Sequence, residues 1–152
     1  MANAVTHILA PTDFGDVSNA AASYAARLAI ALGVPLTIQH VVLDPLAGGW
    51  AVETTQLPAL LERMAREARE KLDTKLQTVL TDEERAVLTV ETAVGMGRPA
   101  DEIIEYADNH GIDLIVMGTH GRGGVEKMWL GSVTEKVLRK ARCPVLVLHG
   151  GA

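Results

Sequence analysis

Gly118-Thr119-His120-Gly121, followed after nine residues by Gly131-Ser132, is the stretch of this chain whose residue types and spacing can do chemistry. It lies directly after an apolar run, Leu114-Ile115-Val116-Met117, and directly before a helical run from Val133 to Lys140. Glycines at the end of a buried strand let the backbone turn sharply and approach a ligand with no side chain in the way. A serine that opens a helix adds free N–H groups, a hydroxyl and the positive end of a dipole, which together favour an anion. The chemistry described is a phosphate cradle.

Each part also has a purely structural use. Gly118 and Gly121 serve as turn glycines, and Ser132-Val133-Thr134-Glu135 matches a capping box, in which serine and glutamate satisfy each other's backbone N–H groups. Their joint occurrence around one long loop favours a ligand. His120 reads as a phosphate contact or as loop filler, and Arg122 and Lys127 read as solvated loop charges. A second polar strand end is Pro11-Thr12-Asp13. Asp13 serves as a turn residue or helix cap, or its carboxylate accepts a ribose hydroxyl or helps hold a metal that bridges phosphates.

Two competing motifs fail. Gly95-Met96-Gly97-Arg98-Pro99-Ala100 fits the dinucleotide fingerprint in its alanine-ended form. The acidic residue that should end the following strand is missing, since that strand ends in Met117-Gly118-Thr119, and the motif falls in the third βα unit. No glycine-rich loop ends in Lys followed by Ser or Thr, so the Walker lysine, a principal charge stabiliser in phosphoryl transfer, is absent. No residue is an evident general base or nucleophile. The pattern favours holding a nucleotide over turning it over.

These residues need elements to position them. Five apolar runs read as strands: Val5 to Ala10, Leu36 to Val42, Ala86 to Val94, Leu114 to Met117 and Pro144 to Leu148. Four helical patterns lie between them. One runs from about Val17 to Leu32 and stops at Gly33; another, Leu57 to Leu80, carries an apolar stripe at intervals of three and four. Asp82-Glu83-Glu84 reads as a turn. Pro99, with Asp101 and Glu102 behind it, suits a helix start, and that helix ends at Gly111. Ser132 to Ala141 is the last helix, and the 44–55 segment, with Pro45 and Gly48-Gly49, reads as a loop. Strands with continuous apolar runs, alternating with helices, give an α/β fold with a mostly parallel, doubly wound sheet.

A chain of 152 residues with no linker and no internal repeat reads as a single domain, 1–152, with room for a substantial core. Apolar residues make up 48% and aromatics only 3%, which suits small helix faces on β-branched strands. The net charge of −5 argues against nucleic acid as the main partner. The lone Cys143 excludes an internal disulfide framework, and it reads as an ordinary buried small residue. No apolar run approaches the ~20 residues that span a bilayer, and the N-terminus carries no signal pattern. The expected location is the cytoplasm.

Taken together, these motifs resemble the universal stress protein family over nearly the whole chain. Its signature is glycine, two residues, glycine, nine residues, glycine, then Ser or Thr, which Gly118, Gly121, Gly131 and Ser132 fit in full. The opening Ile8-Leu9-Ala10-Pro11-Thr12-Asp13-Phe14 resembles the family's start, and Cys143-Pro144-Val145-Leu146-Val147-Leu148 its end. So does Gly111 to Gly118. The resemblance implies the ATP-binding branch and an open doubly wound sheet of five parallel strands in the order 3-2-1-4-5. Helices would cover both faces, in a Rossmann-like fold of the nucleotide-binding α-hydrolase type.

By the same resemblance, Pro11, Thr12 and Asp13 meet the ribose and phosphates, and backbone groups of Val41 recognise adenine. Met117 and Gly118 border sugar and base, with His120 and Gly121 close by. Gly131, Ser132, Val133 and Thr134 cradle the phosphates. Mg²⁺ or Mn²⁺ rides on ATP, with Asp13 as its one candidate protein contact. The family's homodimers imply pairing through Val145 to Leu148, an apolar edge that otherwise invites aggregation. The expectation is an ATP-binding regulatory protein of the stress response; a slow ATP hydrolase or nucleotidyl-transfer enzyme, and an AMP-responsive regulatory subunit, are the alternatives. Trp50, Met128 and Trp129 occupy positions the family pattern does not fix.

Overall fold

The computed structural model describes residues 4–46, 53, 55–119 and 130–149. Five strands run β1 (Ile8–Pro11), β2 (Leu36–Leu43), β3 (Val90–Gly97), β4 (Leu114–Gly118) and β5 (Val145–Leu148). Between them lie α1 (Asp16–Leu32), α2 (Leu57–Val79), α3 (Asp82–Val87), α4 (Pro99–Asn109) and α5 (Ser132–Lys140). All pairings are parallel and the sheet order is β3-β2-β1-β4-β5, as the family resemblance implies.

Period-two alternation divides the core into two layers. Ile8, Ala10, Leu36, Ile38, Leu114 and Val116 pack with α1 and α2 on one face. Leu9, Ile115 and Met117 pack with α4 and α5 on the other, against Ile103, Ala107 and Val137. Most of these side chains are fully buried, each contributing ~1.5–3 kcal/mol of transfer free energy. Ala21, Ala22, Ala25, Ala26 and Ala29 form the inner stripe of α1, so this helix lies close against the sheet. Gly33 ends α1 at φ 68°, a left-handed position where its N–H meets the helix's last carbonyls. Among the described residues no helix is long and apolar enough to cross a membrane.

One segment differs from the sequence expectation. Residues Asp82–Val87 form a short helix, not a turn leading into a strand, and β3 begins only at Val90. The cause is a capping box: Thr81 Oγ1 accepts from the Glu84 N–H at 3.1 Å, and Glu84 Oε1 accepts from the Thr81 N–H at 2.9 Å. That reciprocal pair outweighs the strand propensity of Ala86-Val87-Leu88.

Candidate functional site

Parallel strands joined by right-handed crossovers put every strand's carboxyl end, and the start of the helix that follows, on one edge of the sheet. At that edge β1 and β4 part. Their register covers only Ile8↔Leu114 and Leu9↔Ile115, whereas β1 stays paired with β2 to Pro11↔Gln39 and β4 with β5 to Gly118↔Leu148. The order of the strands reverses at this point, so a crevice opens between Pro11-Thr12-Asp13 and Met117-Gly118-Thr119. Sequence reasoning placed both loops in the site, and the fold brings them together.

The β4 side is anchored to α5. The Thr134 hydroxyl, buried, donates to the Gly118 carbonyl at 2.8 Å. The Gly131 N–H donates to the Thr119 carbonyl at 2.6 Å, and the Thr119 N–H to the Leu148 carbonyl at 2.9 Å. These bonds fix the N-terminus of α5 beside the crevice. Here the capping-box expectation is corrected: Gly131 is the N-cap, no side chain among the described residues caps the helix, and exposed Ser132 is its first residue. A glycine N-cap supplies no oxygen, so the first-turn N–H groups are left to water or an anion.

The β1 side is braced locally. Asp13 Oδ1 accepts from the Gly15 N–H at 2.9 Å and from the Ser18 hydroxyl at 2.7 Å. The turn role weighed for Asp13 is therefore real for that oxygen. Thr12 is buried; its Oγ1 accepts from the Phe14 N–H at 3.0 Å, and its own N–H donates to Gln39 O at 2.8 Å.

That last bond sets the direction of β2's backbone. Gln39 turns its carbonyl toward β1, so Val41, two residues on, turns its N–H and C=O the same way, beyond Pro11 where β1 has ended. A donor and an acceptor on one residue, side by side at a strand's open end, match the edge of a heterocyclic base.

Gly118 has a reason the sequence did not reveal. A Cβ there would overlap Val17 Cγ1 on α1 and press on the Val17 carbonyl. Its φ is not among the positive values seen at Gly33, Gly97 and Gly111, so close packing of α1 on β4 demands the glycine. Gly95 and Gly97 lie inside β3 rather than in a phosphate-binding turn, in keeping with the rejected dinucleotide motif. Sequence reasoning missed a ring cluster behind the β1 loop. His40 lies tilted against Phe14 with centroids 4.3 Å apart, and its Nδ1–H donates to the Thr12 carbonyl at 2.8 Å; Lys71 Nζ lies 4.5 Å from the Phe14 ring centre. Phe14 sits at φ 69°, so this cluster holds a non-glycine residue in the left-handed region. His120 and Gly121, and with them Trp50 and Trp129, lie outside the described residues. Among the described residues no three metal-ligating side chains cluster.

A model of the universal stress protein family matches residues 4–149. Universal stress protein MJ0531 of Methanocaldococcus jannaschii is 37% identical over 147 residues, which span 96% of this chain and 83% of that protein. Hypothetical protein MJ0577 of the same organism has a solved structure that superposes with a TM-score of 0.82 at 26% identity, covering 99% of both chains. A universal stress protein in complex with cAMP superposes with a TM-score of 0.62 at 26% identity, covering 98% of this chain and 100% of that one.

Proposed function

This chain belongs to the universal stress protein family, and from that premise we propose that it is an ATP-binding regulatory protein of the stress response, whose conformation or partner binding follows nucleotide occupancy. The observation that carries this reading is the uncapped N-terminus of α5, tied by Thr134 and Gly131 to the end of β4 at the mouth of the crevice. Phosphates lie on the N–H groups of Ser132, Val133 and Thr134, where the helix dipole and free donors favour negative charge. Adenine meets Val41, and Met117 and Gly118 border the sugar. Pro11, Thr12 and Asp13 close the opposite side, and His120 and Gly121 are assigned to the nucleotide by the family motif alone. The related protein that holds cAMP supports an adenine nucleotide as the ligand class.

Mg²⁺ or Mn²⁺ would travel with the phosphates and neutralise part of their charge, with Asp13 as its protein neighbour. The donor set fits this: with one Asp13 oxygen already engaged, the phosphates must supply most of the coordination. Two copies pair through β5, whose four residues form one edge of the sheet. The cytoplasm is the expected compartment. Titration calorimetry with ATP and Mg²⁺ tests the binding claim, using wild type and Gly131→Val. Gly131 has φ −64° and ψ 156°, which valine adopts readily, so the variant folds while its side chain crowds the cradle. Wild type should bind and the variant should lose at least ~tenfold in affinity, the scale of one lost charge-assisted contact. Equal affinity would misplace the cradle.

A further inference from the structure

The turn that carries Asp13 is held in a form its own residues do not favour. Phe14 sits at φ 69°, while the adjoining Gly15, which could take that region without strain, stays extended at φ −80° and ψ 165°. A bulky residue in the left-handed region is sparsely populated and persists only where its surroundings over-determine it. Here the surroundings come from two elements behind the crevice. His40 alternates with Val41 along β2 and so lies on the opposite face of the sheet, with Ile38. Its ring rests against Phe14 at 4.3 Å between centroids, and its Nδ1–H holds the Thr12 carbonyl at 2.8 Å. From α2, the Lys71 ammonium lies 4.5 Å from the centre of the same Phe14 ring. The Phe14 N–H closes the turn on Thr12 Oγ1, so both chain neighbours of Asp13 are tied down.

We propose that Phe14, His40 and Lys71 are positioning residues of the nucleotide site, a clamp that fixes Asp13 at the mouth of the crevice from the far side of the sheet. None of the three needs to touch the ligand. The ring restrains the turn, and the imidazole and the ammonium restrain the ring. A turn released from the clamp spreads Asp13 over several positions, and ordering it on binding then costs affinity. A ring contact that served stability alone would change the melting temperature and leave affinity as it was. The clamp rests on the nucleotide reading above and extends it, since it assigns the order of the Asp13 turn to residues of β2 and α2 that lie outside the glycine motif.

Titration calorimetry with ATP and Mg²⁺ tests the clamp on Lys71→Met, Lys71→Arg, Phe14→Gly and the double variant Phe14→Gly/Lys71→Met, with melting curves to show that each folds. Lys71→Met keeps the apolar stem but loses the charge, and should weaken ATP by roughly two- to fivefold, the worth of an exposed cation–π contact. Lys71→Arg puts a cation back over the ring and should bind within about twofold of wild type. Phe14→Gly admits the same φ without the ring, and should weaken ATP at least as much as Lys71→Met does. In the Phe14→Gly background, Lys71→Met should have no further effect. A lysine that only attracted phosphate would weaken binding equally with or without the ring. Unchanged affinity in either Lys71→Met or Phe14→Gly, an arginine that fails to rescue, or losses that add would overturn the clamp and leave the nucleotide reading standing. If wild type binds no ATP, both fall.

Discussion

Replacing Gly118 by alanine isolates the contact that joins the two sides of the crevice. The new methyl overlaps Val17 Cγ1 and meets the Val17 carbonyl carbon and oxygen at 3.3 Å. A valine in a helix has essentially one χ1 well, so Cγ1 cannot turn aside freely, and the carbonyl cannot move without shifting the first turn of α1. Overpacking of this kind costs ~1–3 kcal/mol, and two obstructed atoms on one rigid residue place the variant near ~2 kcal/mol. For a chain of this size each kcal/mol lowers Tm by roughly 2–4 °C, so calorimetry should show a drop of roughly 4–8 °C. Val17→Ala removes the overlapping methyl. The double variant Val17→Ala/Gly118→Ala should therefore be more stable than the sum of the single effects predicts, with a coupling of ~1 kcal/mol. A Gly118→Ala protein that melts with wild type, or single effects that simply add, would refute the packing account of this glycine. The glycine would then be free for a ligand-facing role alone.

Thr134→Val keeps the shape of the side chain but strips the buried Gly118 carbonyl of its hydroxyl donor, at a cost of ~1–3 kcal/mol measurable by urea unfolding. The same variant should weaken nucleotide binding, because it loosens the N-terminus of α5. Asp113 governs acid stability at the opposite edge of the sheet. Burial raises its carboxyl, but the Thr6 hydroxyl and the N–H groups of Thr6 and His7 outweigh this and hold it below the usual carboxylate range. A lowered folded-state value stabilises above the unfolded value of ~3.9, and that stability is lost as pH falls through the folded value. Asp113→Asn should accordingly be less stable than wild type at neutral pH, with the gap closing below about pH 4 in acid-unfolding curves.

The alternation of strands and helices was legible because the strands Leu114–Gly118 and Val145–Leu148 are uninterrupted apolar runs, and because α1 declares itself by alanine spacing and a glycine stop; the order of the strands came from the family resemblance, since spacing does not say which strands are neighbours. The segment after α2 was misread for a local reason. Ala86-Val87-Leu88 has the look of a strand, and only the reciprocal bonds of Thr81 and Glu84 make it helical. The matching pattern at Ser132 to Glu135 misled in the opposite direction, since Gly131 takes the N-cap position. In the site, the two loops and the start of α5 could be read because each is a continuous motif. The Phe14–His40–Lys71 cluster could not, because its members lie far apart in sequence and meet only where α2 packs against the strands. Gly118 was read as a turn or ligand-facing glycine, and its packing against Val17 of α1 went unseen. That role depends on the depth at which an alanine-lined helix settles, which spacing does not encode.

The central claim places an adenine nucleotide between Val41 and the N-terminus of α5. Amide-resolved NMR of the labelled protein, titrated with ATP and Mg²⁺, addresses that placement directly. The account predicts saturable shifts in the amides of Val41, Gly131, Ser132, Val133 and Thr134, with Thr6 and Asp113 at the far edge unmoved. A spectrum unchanged by ATP, or one that moves only at the Thr6–Asp113 edge, would contradict it.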